Sequence, residues 1–135
     1  MKKLLVISSV LAIVAGAVLV AGGAWALNFT YKNVAQENIV TPEDALIPST
    51  PVRGPLTLMA QADIIRTHAL KSAGGKTYAE MSREDPARAT WVTATTLITA
   101  LNLGVISYAF ATFTILFGLI SLWTGVTFYV LSKKY

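Results

Sequence analysis

Two long apolar runs dominate the pattern of hydrophobic and polar positions, and a polar segment separates them. The first run covers residues 4–27, the second covers residues 91–131, and neither contains a charged residue. A helix that crosses a bilayer needs about 20 apolar residues, so each run is long enough to span it. The pattern predicts an all-α membrane protein, an antiparallel two-helix transmembrane hairpin with a small extracytoplasmic helical cap.

The polar segment predicts the cap. Its first half, residues 28–55, is interrupted by prolines and is expected to be an extended connector; these are Pro42, Pro48, Pro51 and Pro55. Apolar residues then recur at three- and four-residue steps over residues 57–72, which predicts a helix that packs on the start of the second run; they are Leu58, Ala62, Ile65 and Ala69, and the expected partners are Trp91, Ala94, Leu97 and Ile98. Gly74-Gly75 supplies the stop, and a helical turn is expected over 77–81.

The second run is too long to be only a span. About 21–23 residues at 1.5 Å each cross the hydrocarbon, so the inner part, residues 109–131, forms the span and residues 86–108 project outward. Asp85-Pro86 is a typical helix start, with Ser82 and Asp85 as an alternative capping pair. We therefore expect one nearly continuous helix from Pro86 to about Leu131. Gly104 or Asn102 is the expected place for any bend.

These patterns divide the chain into six segments. Residues 1–3 and 132–135 are short cytoplasmic tails, 4–27 and 109–131 are the transmembrane helices, 28–85 is the extracytoplasmic loop and cap, and 86–108 is the projecting part. Ala24-Trp25-Ala26 fits a signal-peptidase site, but the 24-residue apolar run exceeds the roughly 7–15 residues of a secretory signal. The first helix is therefore expected to be an uncleaved signal anchor.

Charge sets the expected orientation. Lys2, Lys3, Lys133 and Lys134 equal the whole net charge of +4, because seven basic and seven acidic residues cancel between them. Lysines at both ends predict two cytoplasmic termini in the plasma membrane. The excess charge lies beside the membrane, so lipid headgroups rather than nucleic acid are the expected partner. The chain has no cysteine, which excludes disulfides and thiolate metal sites.

Small residues form a seam on each predicted span. On the second helix the seam comprises Gly104, Ser107, Ala111, Thr114, Gly118, Ser121 and Gly125, and on the first it comprises Ser9, Ala12, Gly16, Gly23 and Ala26, with Leu19 the one large member. Small residues allow membrane helices to approach closely, and a seven-residue period favours a left-handed crossing of about +20°. We expect the seams to pack on each other, or alternatively on another subunit, with Leu19 opposite Gly118 and Gly23 near Thr114.

Chemical signatures are weak. His68 is the only histidine, and Asp63 and Glu80 do not share one helix face with it, whereas a metal site usually needs three or four ligands. Gly75-Lys76-Thr77 lacks the earlier glycine of a phosphate-binding loop. No catalytic residue, cofactor or metal is predicted. The charge cluster over residues 83–88 is interpreted as a solvated helix start; alternatively, its members form a docking patch with the histidine, comprising His68, Arg83, Glu84, Asp85 and Arg88.

Several segments resemble a family of small two-span membrane proteins from high-GC Gram-positive bacteria; they are residues 54–57, 60–65, 68–70, 74–80 and 83–90. The resemblance implies the hairpin plan and an outer segment that carries the family signature. Some members are labelled aromatic ring-opening dioxygenases, yet non-haem iron oxygenases need two histidines and a carboxylate, and this chain has one histidine.

The expected function is therefore non-enzymatic. The chain is interpreted as an accessory or structural subunit of a larger bacterial membrane complex, whose partner is another membrane protein or a second copy. The alternative is a homo-oligomeric scaffold or pore, with the hydroxyls of Ser107, Thr114 and Ser121 facing a central axis.

Overall fold

Three α-helices and one short 3-10 helix make up the regular secondary structure of residues 1–134, which the computed structural model describes. They are α1 (Lys2–Gln36), α2 (Pro55–Ser72), the 3-10 helix (Tyr78–Glu80) and α3 (Ala87–Ser132). Helices α1 and α3 are both long and apolar enough to cross a membrane. The predicted all-helical class is confirmed, and the bounds of α2 and α3 lie within two residues of those expected.

Helix α1 continues nine residues past the predicted end of the first span, to Gln36. The expectation of an extended connector from residue 28 is wrong over this stretch, because neither proline nor glycine interrupts residues 28–36. The helix ends just before Asn38, which adopts a positive φ of 52°. A guanidinium nitrogen of Arg53 then donates to the Ala35 carbonyl at 2.7 Å, which satisfies one of the acceptors left at the helix end.

The rest of the connector is a closed loop rather than an extended strand. Val40 and Pro51 form an antiparallel bridge, and the backbone N–H of Thr41 donates to the Thr50 carbonyl at 3.0 Å. The buried Thr41 hydroxyl donates to the Ile47 carbonyl at 2.5 Å and accepts from the Thr50 N–H at 2.9 Å. One threonine thus closes the loop by satisfying polar backbone groups on its opposite side.

Helix α2 has a defined signal at each end. Its first residue is Pro55, and the Thr57 hydroxyl accepts from the N–H of Gly54, the N-cap residue, at 3.2 Å. At the other end the N–H of Gly75 donates to the Leu70 carbonyl at 2.8 Å, and Gly74 has a φ of +61°. This is a Schellman stop, which uses glycine because the left-handed conformation disfavours other residues.

The core beside α2 contains the start of α3. Ala69, Met81, Trp91 and Ala94 are buried together, with Ile65 packed against them. The Trp91 indole N–H donates to the Lys76 carbonyl at 3.0 Å, so the ring is both buried and hydrogen-bonded. Leu97, an expected member of this contact, is 49% exposed and lies off the packing face.

The chain divides into two compact units. We call residues 1–29 with 107–134 the two-helix unit, and residues 30–106 the central unit. The candidate sites lie within one unit or the other.

Candidate functional site

Glycines of α1 and α3 lie in direct contact in the two-helix unit. A methyl group on Gly23 would lie 2.9 Å from the Ala111 carbonyl oxygen and 2.6 Å from Ile115 Cγ1. A methyl group on Gly118 would lie 2.9 Å from the Gly16 carbonyl oxygen. Carbon atoms do not approach this closely without a shift, so only glycine fits at these positions.

The same pattern continues along the pair. A methyl group on Gly125 would meet the Ser9 carbonyl oxygen at 3.0 Å, and one on Gly16 would meet the Gly118 carbonyl oxygen at 2.7 Å. Residue numbers therefore rise along α1 as they fall along its contacts on α3. By contrast, Gly22 has open space around it, although it is the direct neighbour of Gly23.

Two serine hydroxyls join the helices. The buried Ser9 hydroxyl donates to the Gly125 carbonyl at 2.7 Å, and the Ser121 hydroxyl donates to the Ala12 carbonyl at 2.9 Å. Each hydroxyl reaches a backbone oxygen of the opposite helix because the glycine contacts bring the two backbones close. Dispersion and these hydrogen bonds are the interactions that pair helices where water is absent.

Other residues of the predicted seams have different surroundings. Ala111 is buried and Ala26 is half-buried, whereas Ser107 is exposed and its neighbour Tyr108 is buried. The Thr114 hydroxyl donates to the Phe110 carbonyl of its own helix at 2.8 Å. Gly104 belongs to the central unit, where it faces Leu58.

The predicted pairing of Leu19 with Gly118 differs from the structure by one residue, because Val20 contacts Gly118. Ile115 is not a member of the predicted seam, yet its side chain lies against Gly23. Thr30 and Ser132 are buried, although the sequence did not single them out. A signal for Thr30 exists, since it continues the seven-residue spacing of Ser9, Gly16 and Gly23.

The predicted docking residues are not equally available. His68 Nε2 lies 2.6 Å from Asp44 Oδ2, and both side chains are more than half exposed. This hydrogen bond with His68 holds the pKa of the Asp44 carboxyl below its ordinary value of 3.8. The pair joins α2 to the closed loop, which gives His68 a structural role.

Asp85 and Arg88 act at the start of α3. Asp85 Oδ1 accepts from the Ala87 N–H at 2.9 Å, as an N-cap carboxylate does. The Arg88 guanidinium donates to the Met81 carbonyl at 3.1 Å and lies 3.9 Å from the centre of the Tyr78 ring. Both side chains therefore fix the turn that leads into the helix.

Arg83 and Glu84 remain as the unengaged part of the charge cluster. Both are exposed, and neither makes a hydrogen bond or an ion pair within residues 1–134. They lie in the turn between the 3-10 helix and α3. The hydrogen bonds of Asp85 and Arg88 stabilise this turn. A charged pair on a fixed turn is available to a binding partner.

A second carboxylate is engaged just before this turn. Glu80 Oε2 accepts from the backbone N–H and the hydroxyl of Thr77, at 2.7 and 2.8 Å. These hydrogen bonds, the one from the backbone first, hold the pKa of the Glu80 carboxyl below its ordinary value of 4.5. Gly75-Lys76-Thr77 thus belongs to a helix stop followed by a capped turn.

The central unit also contains an open groove of about 580 Å³ along one face of α3. Its lining combines hydroxyl and apolar side chains with one aromatic ring, contributed by Tyr78, Val92, Thr95, Thr96, Thr99, Ala100 and Leu103. The Thr96 hydroxyl already donates to the Val92 carbonyl at 2.8 Å. The surface of the groove is therefore mainly apolar, and at least one of its hydroxyl groups already donates a hydrogen bond within the helix.

The chemistry-bearing residues of the described chain do not assemble into a metal centre. Over residues 1–134, no three histidine or carboxylate side chains are placed to share an ion. In comparisons with protein-family models, curated proteins and solved structures, no match to this chain was found. The resemblance to the two-span family stays a prediction.

Proposed function

We propose that the chain is a non-enzymatic accessory subunit of a larger membrane complex. In this proposal α1 and α3 form an antiparallel hairpin in the bacterial plasma membrane, both termini are cytoplasmic, and the central unit lies outside as a cap. The cap docks on another membrane protein through the turn that carries Arg83 and Glu84. We also propose that the chain belongs to the two-span family that its sequence resembles.

The glycine and serine contacts support the hairpin. Gly16, Gly23, Gly118 and Gly125 all face the opposite helix of the same chain. The smallest residues of the two helices therefore pack against each other within one chain. The proposed membrane anchor needs no second subunit for this packing, so the partner is expected to bind at another surface. The terminal lysine pairs support the orientation, since they favour the cytoplasmic side.

The docking proposal rests on a contrast among the five residues of the predicted docking patch. His68, Asp85 and Arg88 each bind a group of the central unit, whereas Arg83 and Glu84 are exposed on the turn that the others stabilise. Exposed charges on a turn that is held by hydrogen bonds on either side bind a partner at a lower entropic cost than charges on a mobile loop.

The pore alternative has less support. It needs hydroxyl groups facing a shared axis, but the Ser121 hydroxyl donates to the Ala12 carbonyl and the Thr114 hydroxyl donates to its own helix. A hydroxyl that is already donating to a backbone carbonyl has no proton left to donate to a passing anion or water.

Crosslinking followed by affinity capture tests the docking proposal. Membranes of the native host that carry the tagged chain are treated with an amine-reactive reagent, solubilised in mild detergent and analysed by mass spectrometry. We expect crosslinks from the exposed Lys32, Lys71 and Lys76 to one membrane assembly. Exchanging the two charges, Arg83→Glu with Glu84→Arg, is expected to remove most of this capture.

A matched exchange provides the control. Asp63 and Arg66 are also exposed and oppositely charged, three residues apart on α2, so Asp63→Arg with Arg66→Asp likewise keeps the net charge. Docking through the turn is contradicted if the chain is captured alone, or if both exchanges reduce capture equally.

A further inference from the structure

The contacts between α1 and α3 determine which ends of the two helices lie together. These contacts recur every seven residues and run in opposite directions along the two helices, pairing Gly23 with Ala111, Gly16 with Gly118 and Ser9 with Gly125. One further step of seven places Lys2 opposite Ser132, which is only 3% exposed and is therefore covered by its surroundings. The start of α1 and the end of α3 thus form one end of the two-helix unit.

All four terminal lysines lie at this end of the unit. Lys2 and Lys3 belong to the first turn of α1, and Lys133 and Lys134 directly follow the last residue of α3. Their side chains are all exposed. We call these four residues the lysine end, because two pairs that are far apart in the sequence meet there.

The lysine end has no acidic side chain in its own unit to balance it. Residues 1–29 and 107–134 contain no aspartate, glutamate or arginine, so the four lysines carry all the side-chain charge of the two-helix unit. Four ammonium groups at one end repel each other, and an anion beside them relieves this repulsion. The charge therefore favours an anionic ligand.

The location of this charge favours a phospholipid headgroup as that anion. Each lysine pair adjoins an uncharged helix that is long and apolar enough to cross a membrane, so a membrane around these helices brings headgroup phosphates to the depth of the ammonium groups. Lys133 Nζ lies 4.6 Å from the centre of the Tyr129 ring, which is 49% exposed. Tyrosine is favoured at the boundary between hydrocarbon and water, where its ring is apolar and its hydroxyl is wet.

We propose that the lysine end is a binding site for the headgroup of an anionic phospholipid, shared by α1 and α3. The ammonium groups pair with the phosphate oxygens, and the exposed Leu4 and Val130 provide apolar surface for the acyl chains. The site rests on the membrane insertion proposed above, but it does not depend on a partner at Arg83 and Glu84. It gives the lysines a ligand in addition to their effect on orientation.

Native mass spectrometry of the full chain, released from lipid nanodiscs, tests the site. The discs contain equal amounts of anionic phosphatidylglycerol and zwitterionic phosphatidylcholine, and the lipids retained on the chain are counted by mass. We expect about tenfold more phosphatidylglycerol than phosphatidylcholine to be retained, because several lysines act on one anionic headgroup. This preference is expected to disappear at about 1 M salt, which screens charges beyond about 3 Å.

Glutamine substitutions distinguish the lysine end from the other basic residues. The preference for phosphatidylglycerol is expected to be lost when all four lysines are replaced, in Lys2→Gln, Lys3→Gln, Lys133→Gln and Lys134→Gln together. The matched control removes four exposed positive charges from the central unit and is expected to keep the preference; it combines Lys32→Gln, Arg66→Gln, Lys71→Gln and Lys76→Gln. Because both helices contribute to the site, replacing either lysine pair alone is expected to lower the preference about threefold.

The same measurements contain the results that would overturn the proposal. Equal retention of the two lipids, or an equal loss of preference in the two quadruple variants, contradicts a site at the lysine end. If replacing one lysine pair has no effect, the site is not shared by the two helices. If excess inorganic phosphate displaces the phosphatidylglycerol, the lysine end binds free phosphate rather than lipid.

Entry into the discs separates failure of the lipid site from failure of the proposed insertion. A chain that does not enter discs of phosphatidylcholine alone contradicts the membrane insertion and the lipid site together. A chain that enters these discs but retains both lipids equally from the mixed discs contradicts the lipid site alone.

Discussion

Among single residues, substitutions at Gly22 and Gly23 distinguish the effect of helix propensity from the effect of contact with the other helix. The two glycines are neighbours in α1, but only Gly23 lies against the other helix. Gly23→Ala is expected to destabilise the two-helix unit by about 1–3 kcal/mol, because its methyl group would meet the Ala111 carbonyl oxygen and the Ile115 side chain. Gly22→Ala enters open space and is expected to be neutral or slightly stabilising, since alanine favours helix.

Unfolding in mixed micelles, followed by circular dichroism or tryptophan fluorescence, measures this difference. Equal stability of the two variants would mean that the contact at Gly23 does not hold the helices together.

The serine hydroxyls are expected to contribute less than the glycines. Ser9→Ala removes the hydrogen bond to the Gly125 carbonyl, and hydrogen bonds between membrane helices are worth about 0.6 kcal/mol on average. Thr127→Ala is the matched control, because the Thr127 hydroxyl donates to the Trp123 carbonyl of its own helix. In the same unfolding assay, a larger loss from Thr127→Ala than from Ser9→Ala would contradict the role given to Ser9.

The spacing of small residues in the sequence predicted much of this helix contact, but it could not identify every residue that takes part. Gly16, Gly23, Gly118 and Gly125 were identified because every third or fourth position is small. Tyr108 was missed because its ring is large, although it is buried where Ser107 was expected. The relative rotation of two helices depends on side-chain shapes on both, which one helix's periodicity does not contain.

Among the helices and turns, capping determines where each helix begins and ends, and one cap makes the stability of the folded state depend on pH. Glu80 accepts two hydrogen bonds from Thr77, and its pKa is held below 4.5. A carboxylate whose pKa is lowered by folding stabilises the folded state above its ordinary pKa, and that contribution disappears as pH falls through the folded value. Glu80→Gln is therefore expected to be less stable than the wild-type chain at neutral pH.

The stabilities of Glu80→Gln and of the wild-type chain are expected to converge as pH falls below 4.5. Asp44, whose pKa is also lowered, remains in both proteins, so its effect cancels in the comparison. Thermal unfolding in detergent between neutral and acidic pH measures the difference. A gap that stays constant over this range would show that the ionised form of Glu80 is not what stabilises the turn.

Helix ends were predictable where the signal is local. Gly74-Gly75 and Asp85-Pro86 lie within a few residues of the ends that they define, whereas Pro55 was assigned to the connector although it is the first residue of α2. The end of α1 was not predictable in this way, because Arg53 binds the Ala35 carbonyl from eighteen residues further along the chain. The closed loop around Thr41 was missed for the same reason, since prolines suggest an extended chain but do not reveal a distant hydroxyl.

At the scale of the whole molecule, two apolar helices and a folded central unit follow from the distribution of charge and apolar length. The candidate docking turn could be predicted only as a cluster over residues 83–88. Which of its charges were already bound depended on contacts with Tyr78, Met81 and Ala87.

The proposed topology places the central unit outside the cell and both termini inside, and cysteine labelling tests this placement. Lys2→Cys, Lys76→Cys and Lys134→Cys are made separately in the cysteine-free chain, and each leaves another lysine at either end. A membrane-impermeant maleimide applied to intact cells is expected to label only Lys76→Cys, while the two terminal cysteines react only after permeabilisation. Labelling of either terminus in intact cells, or protection of Lys76→Cys until permeabilisation, would rule out this topology.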